Sequence, residues 1–253
     1  MTRILALASV TLREALRQKL AVNLLLFALL TIAGSIIISE LTFGEQYRII
    51  ADLTLTSAQL FGSLIAVFLG AATVAGDVKS RVLYPILAKP IGRWQYLLGR
   101  YAGLVTTLWL NLAVMAVTTT VVLAVYGGGL GKVPAGPLAA AFAGLAAQLA
   151  VIGAVATLFS SFTNTTLAAI FTLSIVVSGH FVRELLVYWR GLAPLRAVGL
   201  LLPNLASLDL KVGLVYQQPV AVTALGLSLL HALLYVAFTL SLAAAIFGRR
   251  DLR

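Results

Sequence analysis

Charged side chains divide the chain into long apolar runs. Those without any charge cover residues 20–39, 53–76, 101–131, 133–182 and 212–248, and are 20, 24, 31, 50 and 37 residues long. A helix crossing the roughly 30 Å hydrocarbon core of a bilayer needs about 20 residues. The first two runs each match one crossing. The stretch Gly127-Gly128-Gly129-Leu130-Gly131 shortens the third to one. The fourth is too long for a single helix. Its only polar cluster, Ser160-Ser161-Phe162-Thr163-Asn164-Thr165-Thr166, falls in the middle and supplies a turn. Pro219 leaves one crossing in the last run. The pattern predicts an all-α integral membrane protein with six transmembrane helices, at about 20–39, 53–76, 101–126, 136–159, 166–182 and 220–247. Residues 1–253 read as a single transmembrane domain.

Composition supports this and excludes other classes. Hydrophobic residues make up 61% of the chain, charged ones 10%, and the mean hydropathy is +1.04. A soluble domain carries about a quarter charged residues. The net charge of +10 would suit a nucleic-acid binder, but such a protein would not also be this apolar. With no Cys, thiol chemistry and thiolate metal sites are excluded. Basic residues cluster by side. If the N-terminus is cytoplasmic, 12 lie inside and 6 outside, against 3 acidic residues inside and 5 outside. The positive-inside rule then places both termini in the cytoplasm.

Three segments do not read as simple crossings. Residues 2–19 predict an amphipathic surface helix, with Ile4, Leu5, Ala8, Leu12, Ala15 and Leu16 on one face. Arg3, Arg13 and Arg17 lie opposite, suited to anionic lipid. Residues 183–219 are too apolar for a plain loop, so short outer helices are expected between spans 5 and 6.

Residues 76–100, GDVKSRVLYPILAKPIGRWQYLLGR, are the most distinctive. Two antiparallel helices need only about 2–8 residues to join. This segment is basic, yet carries Val82, Leu83, Tyr84, Ile86, Leu87, Trp94 and Tyr96. A short cytoplasmic helix bounded by Pro85 and Pro90 would dock in a partner's groove, with Leu83, Leu87 and aromatics of the segment as anchors and Arg81 and Arg93 as ion-pairing groups. The competing reading makes Trp94, Tyr96 and the arginines a membrane-interface belt.

The same stretch resembles the permease subunits of type 2 ABC exporters, most of all the multicopper-enzyme-maturation permease subgroup. The matching pattern is Gly-Asp…Ser-Arg…Leu-Tyr-Pro-Ile-Leu-Ala-Lys-Pro…Arg-Trp…Gly-Arg-Tyr, after a surface helix and two spans. It extends upstream through Ile38-Ser39-Glu40-Leu41-Thr42 and downstream to Leu202-Pro203-Asn204-Leu205. The resemblance implies a homodimer of six-span subunits carrying two copies of a cytoplasmic ATP-binding-cassette ATPase, in a bacterial cytoplasmic membrane. It makes the loop between spans 2 and 3 a coupling helix, with Asp77, Ser80, Arg81, Tyr84, Pro85 and Lys89 as transmission residues. ATP and Mg would bind in the partner ATPase, and accessory subunits would be compatible with it.

The chain lacks the chemistry to hydrolyse ATP itself. The nearest approach to a phosphate-binding loop is Gly131-Lys132, but Tyr126 takes the first Gly position and Val133 follows the Lys. No predicted span contains Asp, Glu, Lys or Arg, which argues against a secondary transporter with coupling-ion carboxylates. Within the spans, His180, His231, Gln59, Asn111 and Gln148 read as interhelical hydrogen-bonding residues. Gly99-x-x-x-Gly103 and the stripe Ala139, Ala143 and Ala147 predict close helix contacts. A non-transporting membrane anchor or assembly factor for a maturation complex is the alternative function.

Overall fold

The computed structural model describes residues 20–41, 46–79, 92–188, 199, 202–218 and 221–249. The surface helix expected at 2–19 lies outside them, as does most of the segment expected to couple. The described residues are helical, with no strand among them. In chain order the helices are α1 (Leu20–Leu41), α2 (Gln46–Lys79), α3 (Arg93–Gly127), α4 (Ala135–Phe162), α5 (Thr165–His180), α6 (Val182–Tyr188), α7 (Lys211–Val215) and α8 (Val222–Arg249). Helices α2, α3, α4 and α8 are long and apolar enough to cross a membrane. Apolar side chains along their outer faces, such as Val117, Val121 and Val125 on α3 and Leu230, Leu234 and Phe238 on α8, are exposed. So much exposed apolar surface suits lipid rather than water.

Local chemistry explains where the helices stop. Gly128 caps α3 in the left-handed conformation, with φ of 82°. Asn164 opens α5 by accepting a hydrogen bond from the Leu167 amide at 2.9 Å, so the polar cluster in the 50-residue run does supply the turn. Hydroxyls inside the helices return to their own backbone. Thr107 donates to the Gly103 carbonyl, Thr157 to Gly153 and Thr239 to Tyr235, each at 2.8 Å. Polar atoms are thereby satisfied without leaving an apolar setting.

The bundle centres on α2 and α4. Helix α2 packs against α1, α3, α4, α5 and α7, while α8 lies mainly along α4. At the α2–α4 crossing, a Cβ on Gly70 would fall 2.5 Å from the Ala156 Cβ, so only glycine permits this approach. At the end of α2 remote from Asp77, α6, the 3-10 turn Leu205–Leu208 and α7 form short pieces between α5 and α8. They seal that end of the bundle through Leu205, Leu208 and Leu214, all buried.

Helices α2 and α3 run beyond the apolar cores expected for them. Residues 46–79 replace 53–76, and 93–127 replace 101–126. At about 1.5 Å per residue, the 34 residues of α2 measure roughly 51 Å, well past a hydrocarbon core of about 30 Å. The charged residues near their ends are therefore helical, which fixes where those side chains point.

Candidate functional site

Helices α2 and α3 run antiparallel and are joined through residues 80–91, so the last turns of one face the first turns of the other. This places Asp77 of α2 against Tyr96 and Arg100 of α3. The last two are four residues apart and share a helix face. The Arg100 guanidinium grips the carboxylate with both arms: Nε donates to Oδ2 at 2.6 Å and a terminal nitrogen donates to Oδ1. The Tyr96 hydroxyl donates to Oδ2 as well. Asp77 is 6% exposed, Arg100 5% and Tyr96 0%. A planar, bidentate pair with a third donor is the arrangement in which a buried ion pair is well compensated.

Two further helices join this clamp. The Tyr96 ring stacks on Phe247 of α8, with centroids 5.9 Å apart and planes 25° from parallel. Arg93, in the first turn of α3, donates to the carbonyls of Phe247 at 3.1 Å and Gly248 at 3.0 Å. These are end-of-helix acceptors, and a cation there also complements the helix dipole. From α4, the Ser160 hydroxyl enters the backbone ladder of α2. It accepts from the amides of Val74 at 3.0 Å and Ala75 at 2.8 Å, and donates to the Ala71 carbonyl at 2.9 Å. Side-chain insertion into a helix ladder is one recognised way to bend a helix locally. Thus α2, α3, α4 and α8 are tied together within two turns of the point where the chain leaves α2.

The residues expected to meet a partner divide accordingly. Asp77 is turned inward, held within the chain by Arg100 and Tyr96. Arg93 reaches the end of α8. Ser80, Arg81, Leu83, Tyr84, Pro85, Leu87 and Lys89 lie outside the described residues. The aromatic pair also separates: Trp94 is 53% exposed and fits an interface belt, whereas Tyr96 is core. Arg100, Tyr96 and Ser160 had not been singled out from the sequence as a unit. A usable signal existed: Asp77 and Arg100 are the charges that bound two successive apolar runs. A helical hairpin sets such charges at one level.

Higher in the bundle, three of the expected interhelical polar residues do meet. His180 Nδ1 lies 2.8 Å from the Val176 carbonyl, which gives that nitrogen the proton and leaves Nε2 as acceptor. The amide nitrogens of Gln59 and Gln148 approach Nε2 at 2.9 and 3.0 Å, and Gln59 also donates to Gln148 Oε1 at 3.3 Å. This ring links α2, α4 and α5. Asn111 departs from the expectation. It is buried on α3, and neither atom of its amide has a hydrogen-bond partner among the described residues. The buried Ser63 hydroxyl of α2 is likewise unpartnered among those residues. His231 faces outward, its ring tilted against Tyr235. No group of three His, Cys, Asp or Glu able to hold a metal gathers among the described residues.

No protein-family model matches the chain, and no curated protein matches it.

Proposed function

We propose that the chain is the transmembrane subunit of an ATP-driven ABC exporter, in which residues 80–91 seat on a cytoplasmic ATPase and pass its movement to the bundle. The observation that carries this reading is the clamp around Asp77. A segment joining two helices transmits force only if its ends are fixed to something stiff. Here one end leaves α2 just after the Asp77–Arg100 pair, and the other enters α3 at Arg93, which holds α8. Displacing the segment therefore displaces four helices together.

In this reading α1 and α5 complete six crossings, and the even number keeps both termini in the cytoplasm with the excess of basic residues. Two copies of the subunit form the path, each with one ATPase that binds ATP and Mg. The membrane is the bacterial cytoplasmic membrane. The uncharged polar groups of the interior, Gln59, Gln148, His180 and Asn111, suit amphipathic cargo better than simple ions.

The test is to co-purify the chain with a Walker-motif ATPase lacking its own spans and encoded beside it. Replacing Arg81 and Tyr84 together by Ala should abolish association, while Asp77→Asn should retain the ATPase but lose the stimulation of ATP hydrolysis. If association and stimulated hydrolysis both survive in the double variant, residues 80–91 are not the coupling element.

A further inference from the structure

Exposed hydroxyls along the apolar helices are satisfied by their own backbone. Thr106, Thr118, Ser174 and Ser241 each donate to the carbonyl four residues earlier. The His180 imidazole likewise bonds four residues back, to Val176. His231 does not. It is exposed on α8 and makes no hydrogen bond among the described residues, with the Tyr235 ring 6.4 Å away beside it. Helix α8 runs from Val222 to Arg249, and His231 lies about 7 Å along it from its middle. That is well inside the roughly 15 Å half-thickness of a hydrocarbon core. Facing acyl chains, the ring would leave a donor and an acceptor unmet, which is why ionisable side chains at such depth face protein or water.

Spacing gives the shape of what covers it. Leu227, His231, Leu234, Phe238, Ser241 and Ala245 recur at alternating steps of four and three, and all six are exposed. That heptad spacing is the seam of two helices crossing at about 20° in a left-handed pair. Copies of one chain insert with the same orientation, so a twofold pair brings like residues together at equal depth. A neutral imidazole carries one donor and one acceptor. His231 therefore complements the partner subunit's His231: the N–H of one ring donates to the bare nitrogen of the other. Any other covering helix would have to bring its own polar group to this depth, whereas the second copy brings one by symmetry. A single polar residue on such a seam also fixes the register of the pair.

We propose that α8 pairs in parallel with α8 of a second copy of the chain, with His231 bonded across the seam. The inference takes from the proposed function only the expectation of two copies, and does not depend on the ATPase. The chain has no Cys, so each introduced Cys is unique. Full-length chains carrying Leu227→Cys, Leu234→Cys or Leu233→Cys are oxidised in native membranes. Leu227→Cys and Leu234→Cys should give disulfide-linked dimers. Leu233→Cys should not, although Leu233 is 65% exposed, because it sits about 100° around the helix from Leu234. In the otherwise unaltered chain, His231→Leu should lower the dimer association constant in detergent micelles roughly three- to tenfold, the span of one interhelical hydrogen bond. His231→Asn keeps a donor and an acceptor and should restore it. A chain that is dimeric by native mass spectrometry yet crosslinks at no α8 position would overturn this seam and leave the two-copy reading standing, whereas a monomeric chain would overturn both. Crosslinking at Leu233 as strong as at Leu234, or an unchanged constant for His231→Leu, would also overturn the proposal.

Discussion

The two ends of α2 carry the same kind of ion pair in opposite settings. Asp52 meets Lys211 at 3.3 Å, with side chains 54% and 28% exposed. Asp77 meets Arg100 with side chains 9% and 6% exposed, in a fork that also takes the Tyr96 hydroxyl. Charge alone does not separate the two; solvation does. An exposed pair gains little because water and salt screen it. A buried pair gains little over apolar packing but becomes expensive to break, since the survivor is left without water. The first end stays open to solvent, whereas the second fixes geometry.

That contrast predicts an order of effects. Arg100→Leu strands the Asp77 carboxylate and should cost about 3–5 kcal/mol in reversible unfolding from mixed micelles. Adding Asp77→Leu to it should recover part of that loss. A cost for Arg100→Leu no greater than that of an exposed pair would mean the clamp is not desolvated. Asn111→Leu tests the interior between the two ends, and its sign is reversed. Removing an unpartnered buried amide should raise stability by about 1–3 kcal/mol. A loss on that substitution would show that Asn111 has a partner in the working assembly. Lys211→Gln should change stability by about 1 kcal/mol or less, and raising the salt concentration should shrink even that. If Lys211→Gln matched Arg100→Leu, the distinction between the ends would collapse.

Much of the architecture was legible because lipid imposes simple rules. Run length marks the four helices long and apolar enough to cross a membrane, and Asn164 and Gly128 announce turns for reasons of capping and backbone conformation. The clamp was half legible. Asp77 and Arg100 stand in the sequence as the charges flanking adjacent runs, but reading residues 76–100 as a segment that docks on a partner concealed their pairing. Tyr96 was hidden by its neighbour Trp94, because an aromatic near a membrane boundary is usually interfacial. Ser160 looked like turn material, yet lies just before the end of α4 and bonds to α2. The Ala139, Ala143 and Ala147 stripe drew attention away from Gly70 and Ala156, where backbones crowd. In a water-soluble helix the apolar face would mark the contact side. Here nearly every face is apolar, so periodicity does not tell lipid from neighbour.

The most direct test of the central claim measures ATP hydrolysis by the partner ATPase, reconstituted in nanodiscs with the chain bearing Arg81→Ala and Tyr84→Ala. The account predicts loss of both association and stimulation, while the chain itself unfolds as the unaltered protein does. Full association with undiminished stimulation would contradict it.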